Sequence, residues 1–349
     1  MSPAFSVYLD LLRLSAALIV FAHHASYARF DGLWISALGG FGHEAVVIFI
    51  VLSGFVVSHV VDLKEHTASA YAASRLSRLW SIAVPAIIVT LLMDGIGRTL
   101  AKDVYDQVAT NPAGSLASVF FANEFWFAQW HPGSNIPFWS LSYEAAYYLL
   151  FGLYAFTRKR WIWMATTCAI IGPKILLLAF AWAAGVVACR LASKKRSHVR
   201  NLSLALGGAA IAAGLALSKF GNLYITYRWE PWFGPIFFDS MGSAASFVSD
   251  NLIALGLALH LVGVAGLLTE KGASNKTRKW FSTAGLATFP LYLIHYPSLY
   301  FFTAVSLQLF GARVGIFIGL ASLATSVAFT PLGEWLRSSL RNRLGIWLS

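Results

Sequence analysis

Residues 8–27 read YLDLLRLSAALIVFAHHASY. The stretch is about twenty residues long and apolar through its middle, which predicts a membrane-spanning helix. It also carries Arg13 near one end and His23 and His24 at the other. A helix turns about 100° and rises about 1.5 Å per residue, so Arg13 and His24 project from nearly one face, roughly 16 Å apart. Two ionisable groups on one stripe of a spanning helix point to a bundle interior or a wet cavity, and so to a functional site. The bland alternative has Arg13 snorkelling to the headgroups and His24 marking the far interface.

Working outward, the composition agrees with a membrane bundle. The 349 residues are 58% hydrophobic and only 12% charged, where a soluble domain carries about a quarter charged residues. In a soluble protein the formal net charge of +11 would suggest nucleic acid. Here the basic residues lie in short loops between apolar stretches, where they orient a polytopic protein in the membrane. Cys168 and Cys189 lie in separate apolar segments without a pairing framework, and they say nothing about redox compartment. No Lys or Arg precedes the first apolar stretch, which is too long for a signal-peptide core, so it is expected to be retained.

Ten spans are expected, at about residues 8–27, 43–61, 79–97, 139–157, 161–173, 175–191, 201–217, 248–268, 281–303 and 309–332. The apolar but interrupted stretch 115–138 is left out, because counting it would put the cluster Arg158-Lys159-Arg160 outside. With both termini cytoplasmic, 18 of the 26 Lys and Arg fall inside, Arg13 falls in the membrane, and seven fall outside: Arg29, Arg98, Lys102, Lys174, Lys219, Arg228 and Arg313. That asymmetry follows the positive-inside rule. The expected fold is therefore an all-α polytopic membrane protein, a single domain over residues 1–349 with no fused soluble domain. The segment 161–173 is short for a span and is expected to form a broken hairpin around Gly172-Pro173. Aromatic residues of the outer run TYRWEPWFGPIFF, 226–238, suit an interfacial belt.

The polar groups sort by depth. His24, Glu144 in FWSLSYEAAYY, His295 in LYLIHYP and the pair His43-Glu44 all fall in the outer half, while Arg75 and Arg78, spaced as RLSR in a basic loop, face the cytoplasm. A histidine with a carboxylate in reach suits general-base attack by a hydroxyl. Two arginines with fixed charge suit phosphates, although they also suit anchoring in anionic lipid. His43-Glu44 begins like a zinc-protease motif, but Val47 stands where the second ligand would be, and no metal site is expected. Ser53 in VLSGF lacks a nucleophile-elbow context and sits beside Gly54, as a helix-packing serine would.

Four stretches together resemble the acyltransferase 3 family of bacterial integral membrane acyltransferases: LDLLRLSAALIVFAHH (9–24), IFIVLSGF (48–55), RLSRLWSIAVP (75–85) and FWSLSYEAAYYLLF (138–151), with a weaker fifth in PLYLIHYP (290–297). They occur in the family's order over about residues 7–300. One departure is Val47, where an acidic residue often precedes the family's second-span run; Glu44 lies one turn earlier.

The resemblance implies an O-acetyltransferase-like enzyme of the bacterial inner membrane. It would move an acyl group, expected to be acetyl, from cytoplasmic acetyl-CoA or another acyl-CoA to a hydroxyl of a carbohydrate or glycolipid acceptor, such as an exopolysaccharide or lipopolysaccharide unit. In that scheme Arg75, Arg78 and Arg13 hold the donor, His24 is the general base, and Glu144 orients or relays. Ser53, Trp139, Ser142, His295 and Glu44 line the substrate pocket. The partners are then acyl-CoA, the acceptor and membrane lipid, without nucleic acid, and homo-oligomerisation is left open. The alternative is a transporter or flippase for a lipid-linked sugar or small anion, whose intramembrane Arg, His and Glu would line a path.

Overall fold

A computed structural model describes residues 1–193, 200–221, 234–269 and 271–348 of the chain. Residues 226–233 of the outer aromatic run, and the basic residues Lys194, Lys195, Arg196 and Arg228, lie outside the described residues. Those described are helical or irregular, without strands.

The helices in chain order are α1 (Pro3–Ala25), α2 (Gly42–Leu63), α3 (Ala68–Leu100), α4 (Pro112–Val119), α5 (Trp139–Phe156), α6 (Arg160–Ile171), α7 (Pro173–Leu177), α8 (Ala179–Ala192) and α9 (Arg200–Ala216). After them come α10 (Pro235–Met241), α11 (Phe247–Leu267), α12 (Asn275–Phe310), α13 (Gly315–Ala328) and α14 (Thr330–Leu348). Seven helical stretches among the described residues are long and apolar enough to cross a membrane: Pro3–Ala25, Gly39–Leu63, Ala68–Leu100, Pro173–Ala192, Arg200–Gly221, Phe237–Leu267 and Gly315–Gly345. Three of the ten expected spans, represented by α5, α6 and α12, are not among them. For α6 the reason is length, at 12 residues. For α5 and α12 it is polarity: they carry Ser, Tyr and His side chains that the bundle buries, and α5 also carries the partly buried Glu144.

Several boundaries differ from expectation. The third helix begins eleven residues before Leu79, capped by Thr67, whose hydroxyl accepts from the Ala70 amide at 3.2 Å. Its first turns, ASAYAASRLSR, are polar enough to escape a hydropathy reading but are good helix formers, so Arg75 and Arg78 sit on a helix rather than in a loop. At 33 residues, α3 is about 50 Å long against a hydrocarbon core of about 30 Å, which leaves room for charged residues near its N-terminal end. The expected last span starts late: α12 runs on to Phe310, Gly311 closes it in the left-handed conformation (φ 65°), and α13 begins at Gly315. Lys174, expected in an outer loop, is fully buried. Its ammonium pairs with Glu124 at 2.5 Å and donates to the Ala128 carbonyl, pinning the irregular segment after α4 against α7.

α12 is the central post, packed against α1, α3 and α13. It is continuous over 36 residues despite Pro290 and Pro297. Each proline lacks an N–H and leaves the carbonyl four residues earlier without its helical partner. The one that Pro297 releases, on Leu293, accepts from Asn135 Nδ2 at 2.8 Å. Close packing elsewhere uses glycine, as membrane helices do. A Cβ on Gly54 of α2 would lie 2.1 Å from the Trp182 carbonyl oxygen, and one on Gly185 of α8 would lie 2.0 Å from that of Val51.

Candidate active site: two cavities along one helix

Two cavities are named inner and outer for the sides on which the expected topology puts them, and the inner one collects polar side chains from four helices: Arg13 of α1, Ser53 of α2, Arg75 and Arg78 of α3, and Glu144 and Tyr148 of α5. Apolar walls come from Val46, Phe49, Ile50, Leu141 and Phe289, and Tyr292 of α12 stands at its upper end. Its volume is about 80 Å³, room for about six waters or a narrow chain.

Within it, Glu144 Oε1 accepts from the Ser53 hydroxyl at 3.0 Å and from the Tyr148 hydroxyl. Ser53 Oγ in turn accepts from Trp182 Nε1 at 3.3 Å. Glu144 and Tyr148 meet because residues four apart share a helix face. Arg75 is only 7% exposed; its Nη2 pairs with Glu65 at 2.6 Å and its guanidinium lies over the rings of Tyr71 and Tyr148. Arg78 lies over Phe289. The Nε atoms of both arginines are buried without a hydrogen-bond partner, a costly arrangement that an acceptor-rich ligand would relieve. Arg13 pairs with Asp10 at 3.4 Å.

The outer cavity is lined by His24, Tyr27, Arg29, Tyr296 and Tyr300, with Asp103, Asp106, Gln107 and Arg313 around it. Aromatic faces mixed with donors and acceptors suit a polyhydroxylated ligand. Arg29 donates to the Tyr300 hydroxyl at 2.6 Å. His23, pointing away from His24's partner, is satisfied: its Nδ1 donates to the Gly39 carbonyl, so its Nε2 accepts from the Tyr27 hydroxyl at 3.0 Å.

His24 and His295 are in contact, Nδ1 to Nε2, at 2.8 Å, with rings stacked 5.0 Å apart. The tautomers follow from one carbonyl. His295 Nδ1 lies 2.8 Å from the Leu291 carbonyl oxygen, which can only accept. In the neutral ring Nδ1 therefore carries the proton and Nε2 has the lone pair. That nitrogen must accept from His24 Nδ1–H, which leaves His24 Nε2 as a free base. His295 is fully buried, so no water competes for the role.

The expected partnership of His24 with Glu144 is not what the fold builds. Glu144 is five residues below Trp139, which stacks on His43 at the outer end, and it is level with Ser53, ten residues below His43. By helix rise, this sets Glu144 roughly 8–15 Å below the outer end where His24 lies. It joins the arginines instead, and His295 takes the place expected for a carboxylate.

The other expected pocket residues line neither cavity. Ser142 Oγ donates to Asn123 Oδ1 at 2.6 Å. Trp139 stacks on His43, and Glu44 accepts from Ser218 and pairs with Lys219 at 2.9 Å. A histidine–carboxylate pair does exist, but it is His43 with the buried Asp250, at 2.9 Å. Among the described residues no cluster of three or more His, Cys, Asp or Glu is placed to hold a metal ion. The sequence reading missed Tyr148 and Tyr292. The only available signal for Tyr148 was its i+4 spacing from Glu144.

The two cavities lie end to end along α12. Tyr292 closes the inner one and Tyr296 borders the outer one, with His295 between.

A family profile described as an acyltransferase domain matches residues 6–331. Acyltransferase MdmB of Streptomyces mycarofaciens is 33% identical over 161 residues, covering 42% of this chain and 39% of that protein. The chain thus aligns with about two fifths of that relative's length. No solved structure matches the chain.

Proposed function

We propose, from the premise that the chain belongs to the acyltransferase 3 family, that this multi-pass membrane acyltransferase moves an acetyl group from cytoplasmic acetyl-CoA to a carbohydrate hydroxyl in the outer cavity. The proposed setting is a bacterial inner membrane crossed ten times, with both termini cytoplasmic. That places Arg75 and Arg78 toward the cytoplasm and His24 toward the outside, in keeping with the basic bias of the inner loops. The donor's phosphates are held by Arg75, Arg78 and Arg13, whose fixed charge favours an anion, as do the unpartnered Nε atoms of Arg75 and Arg78. Its arm then rises through the narrow lumen toward Tyr292.

The observation that carries this proposal is the Leu291 carbonyl–His295–His24 chain, which leaves a basic nitrogen bordering the outer cavity. His24 Nε2 takes the proton of the acceptor hydroxyl as its oxygen attacks the thioester carbonyl. The carbon–sulfur bond breaks, and the departing thiolate takes the proton from the imidazolium, so no net proton is released. The donor carbonyl has to reach His24 from below. Tyr292, one turn beneath His295, marks the top of the passage that would bring it there.

The test is His24→Ala in membranes supplied with acetyl-CoA and surface glycan. Thiol release and glycan acetylation should vanish at unchanged protein abundance, and turnover that survives removes His24 from the chemistry.

A further inference from the structure

Glu144 does not reach His24, yet its environment specifies a ligand. Both hydroxyls in its network, Ser53 and Tyr148, donate to Oε1. Among the described residues no side chain donates to Oε2: Arg13 is paired with Asp10 and Arg75 with Glu65, and Arg78, which shares the cavity, hydrogen-bonds Tyr148 and lies over Phe289 without forming an ion pair to Glu144. A carboxylate offers about four acceptor positions. With the network's hydroxyl hydrogens committed to one oxygen, the missing partner is a donor. The lumen is narrow and mostly apolar, and Arg75, one of the cations that line it, has its Nε buried without a hydrogen-bond partner. The ligand is therefore a chain with an anionic foot, apolar links and an N–H or O–H partway up.

We infer that Glu144 Oε2 accepts a hydrogen bond from an amide N–H of the donor's pantetheine arm, so that Glu144, Ser53 and Tyr148 form an arm-recognition site midway through the membrane. The inference rests on the acyl-CoA reading of the inner cavity. Depth selects which of the arm's two amides is used. An extended chain advances roughly 3.3–3.6 Å per three bonds, so the amide nitrogen three bonds from sulfur lies about 3–4 Å below it and the one seven bonds away about 8 Å below. With the thioester at His24, only the second falls within the roughly 8–15 Å drop to Glu144. Glu144 thereby sets the height of the thioester beneath His24.

The test uses acetyl-CoA and two analogues in which one amide N–H is replaced by an ester oxygen, either seven or three bonds from sulfur. With the wild-type protein, replacement at seven bonds should lower kcat/KM roughly tenfold or more, as for loss of a hydrogen bond to a charged group. Replacement at three bonds should have little effect. In Glu144→Gln, acetyl-CoA itself should lose a similar factor, and the seven-bond analogue should lose nothing further. The proposal is overturned if the wild type uses the seven-bond analogue within twofold of acetyl-CoA, or if the two losses multiply in the variant. Should Glu144→Gln fail to accumulate, the wild-type comparison of the two analogues decides alone. Failure of the wild type to release thiol from acetyl-CoA with any acceptor overturns the acyl-CoA reading itself, a result distinct from an indifferent arm.

Discussion

Replacing His295 by Ala removes the acceptor that holds His24 Nδ1–H. The ring then keeps a buried donor with nothing to receive it, or turns and presents a proton where the free base should be. Leaving one buried donor unsatisfied costs about 1–3 kcal/mol. At about 1.4 kcal/mol per tenfold, this corresponds to a fall in kcat of about 5- to 150-fold. Donor KM should change little, because His295 lies outside the inner cavity. The assay is thiol release from acetyl-CoA in membranes, paired with mass spectrometry of the acylated glycan. His295→Gln supplies the control: its side-chain carbonyl can accept from Nδ1–H, so it should retain most of the activity that Ala loses. If His295→Ala turns over within twofold of wild type, or Gln fares no better than Ala at equal abundance, the tautomer chain does not govern His24.

Arg75→Ala should raise the donor KM by about 10- to 100-fold, the range expected for losing a charge-assisted contact, with kcat nearly unchanged; an unaltered KM would separate Arg75 from the donor. Tyr148→Phe deletes one donor to Glu144 and should cost about 3- to 10-fold in kcat/KM, measured by the same thiol assay, and full activity would show the hydroxyl to be idle. Lys174→Met strands a buried carboxylate and should destabilise the protein by about 3–5 kcal/mol, read as a lower thermal midpoint in detergent, which adding Glu124→Gln should largely restore. Burial, partly offset by Lys174, pushes the Glu124 carboxyl up to about 7. Because the folded value lies above the ordinary 4.5, the fold favours the protonated form. Its contribution is present below about 4.5 and lost as pH rises through about 7. The Lys174→Met penalty should therefore be smaller at pH 5 than at pH 8, and equal penalties would refute the assignment.

Dense apolar runs made most of the bundle legible in the sequence, and the order of the polar motifs made the family legible. α5 and α12 were recognised as helices although their polarity is what a span should avoid, because their Glu and His face other helices rather than lipid. The start of α3 was not legible: hydropathy registers Leu79 onward, while the helix begins where Thr67 caps it. Lateral partnership was the least legible part. Counting residues sets Glu144 and His24 in the same half of the bundle, but packing decides which faces meet, and the contact with Ser53 shows where Glu144 works. Lys174 misled for a related reason, since a charge near a helix start was counted as solvated when it is sealed against Glu124.

Asn135 plugs the backbone gap that Pro297 opens in α12. Lifting its segment off the bundle would strip the Leu293 carbonyl bare in a dry setting, at a cost of several kcal/mol. That stretch is accordingly a riveted floor and not a door. For the proposed acceptor this leaves the other lining residues of the outer cavity, among them Asp103 and Arg313, as the way in and out.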